Sequence, residues 1–67
     1  MITELKEVTD WGKDSLIPNN TYYVNDAGKC IAYRRVSDGV LEYFTKPLMF
    51  TKTHRKFESK KLEEMPN

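Results

Sequence analysis

Residues 21–45 read TYYVNDAGKCIAYRRVSDGVLEYFT, and the fold turns on how this stretch is parsed. Thr21 to Asn25 is β-branched and aromatic, and a strand there sets Tyr22 and Val24 on one face and Tyr23 on the other. Asn25-Asp26-Ala27-Gly28 supplies turn chemistry. Asn and Asp side chains bond their own backbone, and Gly28 suits the left-handed position of a bulged hairpin. Lys29 to Val36 is the return strand, with Cys30, Ala32 and Val36 set against Ile31 and Tyr33. Ser37-Asp38-Gly39 is a second turn, and Val40 to Thr45 a third strand placing Leu41 and Tyr43 opposite Val40 and Phe44. Two tight hairpins in series predict an antiparallel meander over 18–58.

Working outward, Pro47 has no N–H to give a ladder, so it is expected to end the third strand. Leu48 to Phe50 then resumes as a short fourth strand. Residues 53–65 fit two states: a helix capped by Thr53 with Phe57 and Met65 as apolar contacts, or a strand from Arg55 to Leu62 with Phe57 inward. On the other side, Ile2, Leu5 and Val8 recur three apart, which predicts a short N-terminal helix over 1–9, followed by a loop ending at Pro18-Asn19-Asn20. The expectation is a single small domain over 1–67, mainly β or small α+β. Its parts are helix and loop over 1–17, a three- to four-stranded meander over 18–58, and a charged tail over 59–67. An SH3-like or OB-like curled sheet fits, as does an open meander packed under the N-terminal helix.

Sixty-seven residues support one core. Such a domain buries only about 60 % of its unfolded surface, and without staples its stability rarely exceeds roughly 3–5 kcal/mol. The one cysteine, Cys30, closes no internal disulfide and suits a reducing, cytoplasmic setting. No apolar run approaches the ~20 residues of a membrane-spanning helix, and the N-terminus, acidic and amphipathic, does not read as a signal peptide. The chain, opening on Met1, is expected to be a complete small gene product.

Catalysis is not expected. One Cys, one His and scattered carboxylates do not make a metal site or call for any cofactor. Cys30 reads as a small hydrophobe in a strand rather than a thiolate activated by His54. Asp26 and Asp38 are turn residues, and Gly12, Gly28 and Gly39 are isolated, so no phosphate loop forms.

Binding is the expected role, because charge is unevenly distributed. Residues 1–26 hold two lysines against five acids, whereas residues 27–61 hold nine Lys or Arg against three acids. Candidate partner-binding residues are Tyr22, Tyr23, Lys29, Tyr33, Arg34, Arg35, Lys46, Lys52, Arg55, Lys56 and Lys60. Arg34 and Arg35 are read as mid-strand and pointing to opposite faces. Tyr and Arg anchor protein interfaces, and eight aromatics exceed what one small core absorbs. An edge strand at Thr21–Asn25 would also accept a strand from another chain. These features predict a non-enzymatic module that modulates or inhibits a protein partner, plausibly within nucleic-acid machinery. The alternatives are direct nucleic-acid binding through the basic segment 29–61, an assembly subunit of a larger complex, or a solvated edge that only blocks unwanted pairing. No membrane is involved in these readings, and self-association to a dimer fits a chain of this size.

The stretch Phe44-Thr45-Lys46-Pro47-Leu48-Met49-Phe50, followed by Arg55-Lys56-Phe57, resembles short accessory proteins encoded by bacteriophages. The resemblance covers about residues 18 to 58 and is one of texture: a compact hairpin protein with no catalytic kit. It implies action by binding a host or phage macromolecule and assigns no particular residue.

Overall fold

A computed structural model describes residues 1–8, 19–51 and 56–66. In them five strands form one open antiparallel sheet: β1 (Ile2–Glu7), β2 (Thr21–Val24), β3 (Lys29–Arg34), β4 (Leu41–Met49) and β5 (Phe57–Leu62). The spatial order is β4-β3-β2-β1-β5, so β4 and β5 are the edges. The described residues contain no helix, and hence none long and apolar enough to cross a membrane.

The β2-β3-β4 meander forms where the turn residues predict it. Asn25 organises the first turn: its Oδ1 accepts from the N–H groups of Ala27 and Lys29, both at 3.0 Å, and its main-chain oxygen accepts from Gly28. Gly28 takes φ +78 and Gly39 φ +69, the left-handed conformation that a side chain resists. In each turn the glycine and the residue after it share one partner, Asn25 or Arg35, which is the two-against-one count of a bulge.

The N-terminal segment differs from expectation. Residues 2–7 form a central strand, not a helix, pairing with β2 through Leu5 opposite Tyr22 and with β5 through Leu5 opposite Ser59. So short a helix is marginal in water, whereas a strand between two neighbours gives its main-chain groups ladder partners. The spacing of Ile2, Leu5 and Val8 suggested an apolar helical edge, yet only Leu5 of the three is buried. Downstream of Leu5, Glu7 donates its N–H to the Asn20 carbonyl and Val8 to that of Lys56, fastening the end of β1.

The third and fourth strands are also one element. β4 runs through Pro47, and the irregularity falls in the pairing instead: Ala32 faces Tyr43 and Cys30 faces Leu48, so residues 44–47 stand opposite Ile31 alone. A bulge on an edge strand is where a ladder tolerates a proline. Of the two states open to the C-terminal stretch, residues 57–62 take the strand, and Ser59 to Leu62 leave the expected charged tail to join β5. Because β1 and β5 add beyond it, β2 lies inside the sheet and offers no free edge.

The core lies on one face. Leu5, Val24 and Cys30 are buried there, with Tyr22, Phe44, Phe50 and Phe57 packed against them. The rings interlock: Tyr33 to Phe44 at 5.6 Å, Tyr22 to Phe50 at 5.2 Å, and Phe50 to Phe57 at 5.5 Å. Offset and edge-on pairs of this kind add about 0.5–1.5 kcal/mol each beyond area burial. Tyr23 and Ala32 are buried on the opposite face, so the middle of the sheet is covered on both sides. Cys30 and Ala32, expected on one face, are therefore separated: Tyr23 faces Ala32 and Val24 faces Cys30, and the extra residue Ile31 resets the alternation.

Candidate functional site

Of the predicted arginines, Arg34 ends β3 and Arg35 follows it, so neither is mid-strand, and both serve the turn. Arg34 Nη1 donates to the Gly39 carbonyl at 2.8 Å. Arg35 meets Asp38 at 2.9 Å and Glu42 at 3.0 Å. Asp38 Oδ1 also accepts the Val40 N–H at 3.0 Å, and this bond, with Arg35 alongside, holds the Asp38 carboxyl below its ordinary range. Partial desolvation opposes the Arg35 charge, but Asp38 and Glu42 outweigh it and keep the guanidinium firmly protonated. Glu42 further accepts the Tyr33 hydroxyl at 3.1 Å, which pushes the phenol above its usual value. Tyr33, Arg35, Asp38 and Glu42 thus form one network that closes the second hairpin. Fork-like donors already engaged by carboxylates have little left for a phosphate chain.

The remaining predicted residues scatter. Tyr22 and Tyr33 belong to the half-buried aromatic face, their rings 6.5 Å apart. Tyr23 is 2 % exposed, so it supports the sheet and presents no ring to a partner. Lys29 lies at the first turn, Lys46 in the β4 bulge, Lys56 just before β5, and Lys60 on β5, opposite Glu4 of β1; all four are exposed. Lys52, Arg55 and His54 lie outside the described residues. The expected basic stripe is therefore divided between the two edges of the sheet.

What the fold leaves exposed along β4 is apolar, Tyr43 and Met49 on the face of Ala32 and Leu48 on that of Cys30. Tyr43, Leu48 and Met49 on β4 are 61 %, 51 % and 83 % exposed, with Pro47 between them exposed as well. The strand is also an edge with usable backbone. Arg35 bonds Val40 across the hairpin, and ladder alternation from that pair turns the main-chain groups of Leu41 and Tyr43 away from β3. Beside the distal half of β4, a cavity of about 400 Å³ opens on the aromatic face, lined by Thr3, Leu5, Val24, Asp26, Phe50 and Lys61, among others. Its floor is aliphatic and aromatic, and its polar groups sit at the rim. Asp26 is engaged there by the Met1 amino group at 2.7 Å, which lowers its pKa.

Sequence reading missed this region. The available signal was the apolar run after Pro47: a proline-marked bulge on an edge leaves the residues beyond it less covered. Cys30, in contrast, is a buried thiol whose Sγ donates to the Ala32 carbonyl at 3.2 Å, and burial raises its pKa. Among the described residues no three His, Cys, Asp or Glu side chains cluster as metal ligands. No family model, curated protein or solved structure matches the chain.

Proposed function

We propose that this protein is a non-enzymatic binding module that engages a protein partner through β4, and that through this contact it modulates or inhibits the partner. The observation that carries the reading is the exposure of Tyr43, Leu48 and Met49 along a nine-residue edge strand. A free edge accepts an added strand through main-chain bonds at Leu41 and Tyr43, and exposed apolar side chains on both faces of that edge, Tyr43 and Met49 on one and Leu48 on the other, would flank it. Direct nucleic-acid binding is less well supported, because two of the three predicted arginines, Arg34 and Arg35, bond within the second hairpin. For architecture, a meander whose last strand returns beside its first supports an SH3-like sheet, opened between β4 and β5, over the Greek-key order of an OB-like one. The buried, unpaired Cys30 supports a cytoplasmic setting.

The test is affinity capture from a lysate of the native host, comparing the intact protein with Leu48→Asp/Met49→Asp. A protein retained by the intact chain and lost with the double variant is the expected result. The reading fails if the captured set does not change, or if capture depends on nucleic acid and disappears after nuclease treatment.

A further inference from the structure

The ladder sets Val24, Thr3 and Lys61 side by side on β2, β1 and β5, and Leu5 follows Thr3 on the same face. These four, with the first turn and Phe50, line the cavity of about 400 Å³. That volume lies in the range of small-molecule pockets, roughly 300–1,000 Å³. Phe50 meets Tyr22 at 5.2 Å and Phe57 at 5.5 Å, and Tyr22 stands opposite Leu5, so a cluster of rings stops the recess at its inner end. Most polar groups at the mouth are already engaged. Asn25 Oδ1 and the Gly28 N–H hold the turn, and Asp26 is met by the Met1 amino group at 2.7 Å. The Lys61 ammonium forms no ion pair among the described residues. The acids of its neighbourhood lie elsewhere. Glu4 and Glu58 face Lys60 and Lys6 across the ladder on the opposite side of the sheet, and Glu7 is buried opposite Phe57 at the far end of β1. Glu63 and Glu64 follow β5, exposed, and neither comes within ion-pair distance of Lys61. The groups left to meet a ligand over the apolar floor are thus one cation, Lys61, and the Thr3 hydroxyl, both able to donate.

From this arrangement we infer that the cavity binds a small monocarboxylate with an apolar body. The site is separate from β4, and the inference does not depend on the protein-binding reading. The apolar body lies over Leu5, Val24 and Phe50, where leaving water supplies most of the affinity. The carboxylate stays at the mouth, accepting from Lys61 and from the Thr3 hydroxyl. A neutral head of the same size keeps the burial and loses the charge-assisted bond. An ammonium head meets a cation of its own sign. A phosphate is a poorer match, because a charge near −2 on three acceptor oxygens calls for more cations than the one on this rim.

The experiment titrates octanoate, octanol and octylammonium, one body with three heads, into the isotope-labelled full-length protein below their micelle concentrations, followed by amide chemical shifts. Octanoate is expected to give saturable shifts centred on Thr3, Leu5, Val24, Gly28 and Lys61. Octanol should bind about fivefold more weakly, the size of an exposed charge contact, and octylammonium more weakly still. Lys61→Gln should lower the octanoate affinity to that of octanol. Lys60→Gln, one residue away but on the other face of β5, should leave it unchanged. Both positions are exposed, so both variants should fold as the parent does. No saturable shift at the cavity amides with any of the three compounds would overturn the site. Equal affinities of octanoate and octanol, or equal losses in the Lys60 and Lys61 variants, would overturn the assignment of a carboxylate. Each of these results leaves capture of a protein partner through β4 standing or falling on its own test.

Discussion

Replacing Gly28 and Gly39 isolates a single physical term. Both glycines have positive φ, and a Cβ built on either would meet no atom within 4 Å. Alanine at these sites therefore clashes with nothing distant, and its cost is the left-handed backbone itself, about 1–2 kcal/mol at each position. Against a domain stability of roughly 3–5 kcal/mol, each single variant should remain folded, with its melting temperature lowered by about 5–15 °C. The turns lie at opposite ends of β3, a six-residue strand, so they stand about 20 Å apart and their costs should add. Gly28→Ala/Gly39→Ala should therefore lose about 2–4 kcal/mol, with roughly twice the melting-temperature drop of either single variant. Asparagine tolerates the left-handed region better than alanine, so Gly28→Asn and Gly39→Asn should retain more stability than the alanine variants, and valine should retain least. The assay is urea and thermal unfolding of the set by circular dichroism. Alanine variants that melt with the parent, or asparagine variants no better than alanine, would refute the assignment of these costs to backbone conformation.

Other outcomes follow from the packing and the ion pairs. Leu5→Ala empties the centre of the core and should cost about 2–5 kcal/mol; a urea midpoint close to the parent's would show that the core is elsewhere. Arg35→Ala removes a surface pair network and should lower the urea midpoint only slightly, without altering partner capture; lost binding in a still-folded variant would place Arg35 in the interface. Asp38 has a lowered pKa in the fold, so its contribution is present above the ordinary carboxylate value of roughly 4 and is lost as pH falls through the lower folded value. Asp38→Asn should flatten the acid limb of the stability profile, and an unchanged limb would contradict the network. Cys30 has a raised pKa, so the unfolded chain gives up its thiol proton first and stability declines as pH climbs through the alkaline thiol range. The thiol should also resist alkylation until the protein unfolds; fast labelling of the native state would show that it is accessible.

The meander was legible because its signals are local. Asn25, Gly28, Asp38 and Gly39 specify their turns by conformations and short-range bonds that the sequence alone implies. The alternation of Tyr22, Tyr23 and Val24 sets their faces once the strand is granted. Cys30 as a buried strand residue follows from the same pattern. Elsewhere the deciding partners are distant in the chain. Whether residues 2–7 are helix or strand depends on β2 and β5, the latter more than fifty residues away, because six residues have no strong preference alone. The bulge at Ile31 moves Ala32 to the face opposite Cys30, and nothing adjacent in sequence announces the extra residue. Pro47 marked an irregularity correctly, but only the pairing with β3 showed a bulge within one strand rather than a break between two. The candidate site has the same origin. The sequence determined that this chain carries an uneven run of cations, eight aromatics, one Cys and one His, since composition fixes the groups on hand. The tertiary structure decided that Arg34 and Arg35 would bond within a turn, that Tyr23 would be buried, and that Leu48 and Met49 would stand exposed, because exposure depends on which strand is left at the edge.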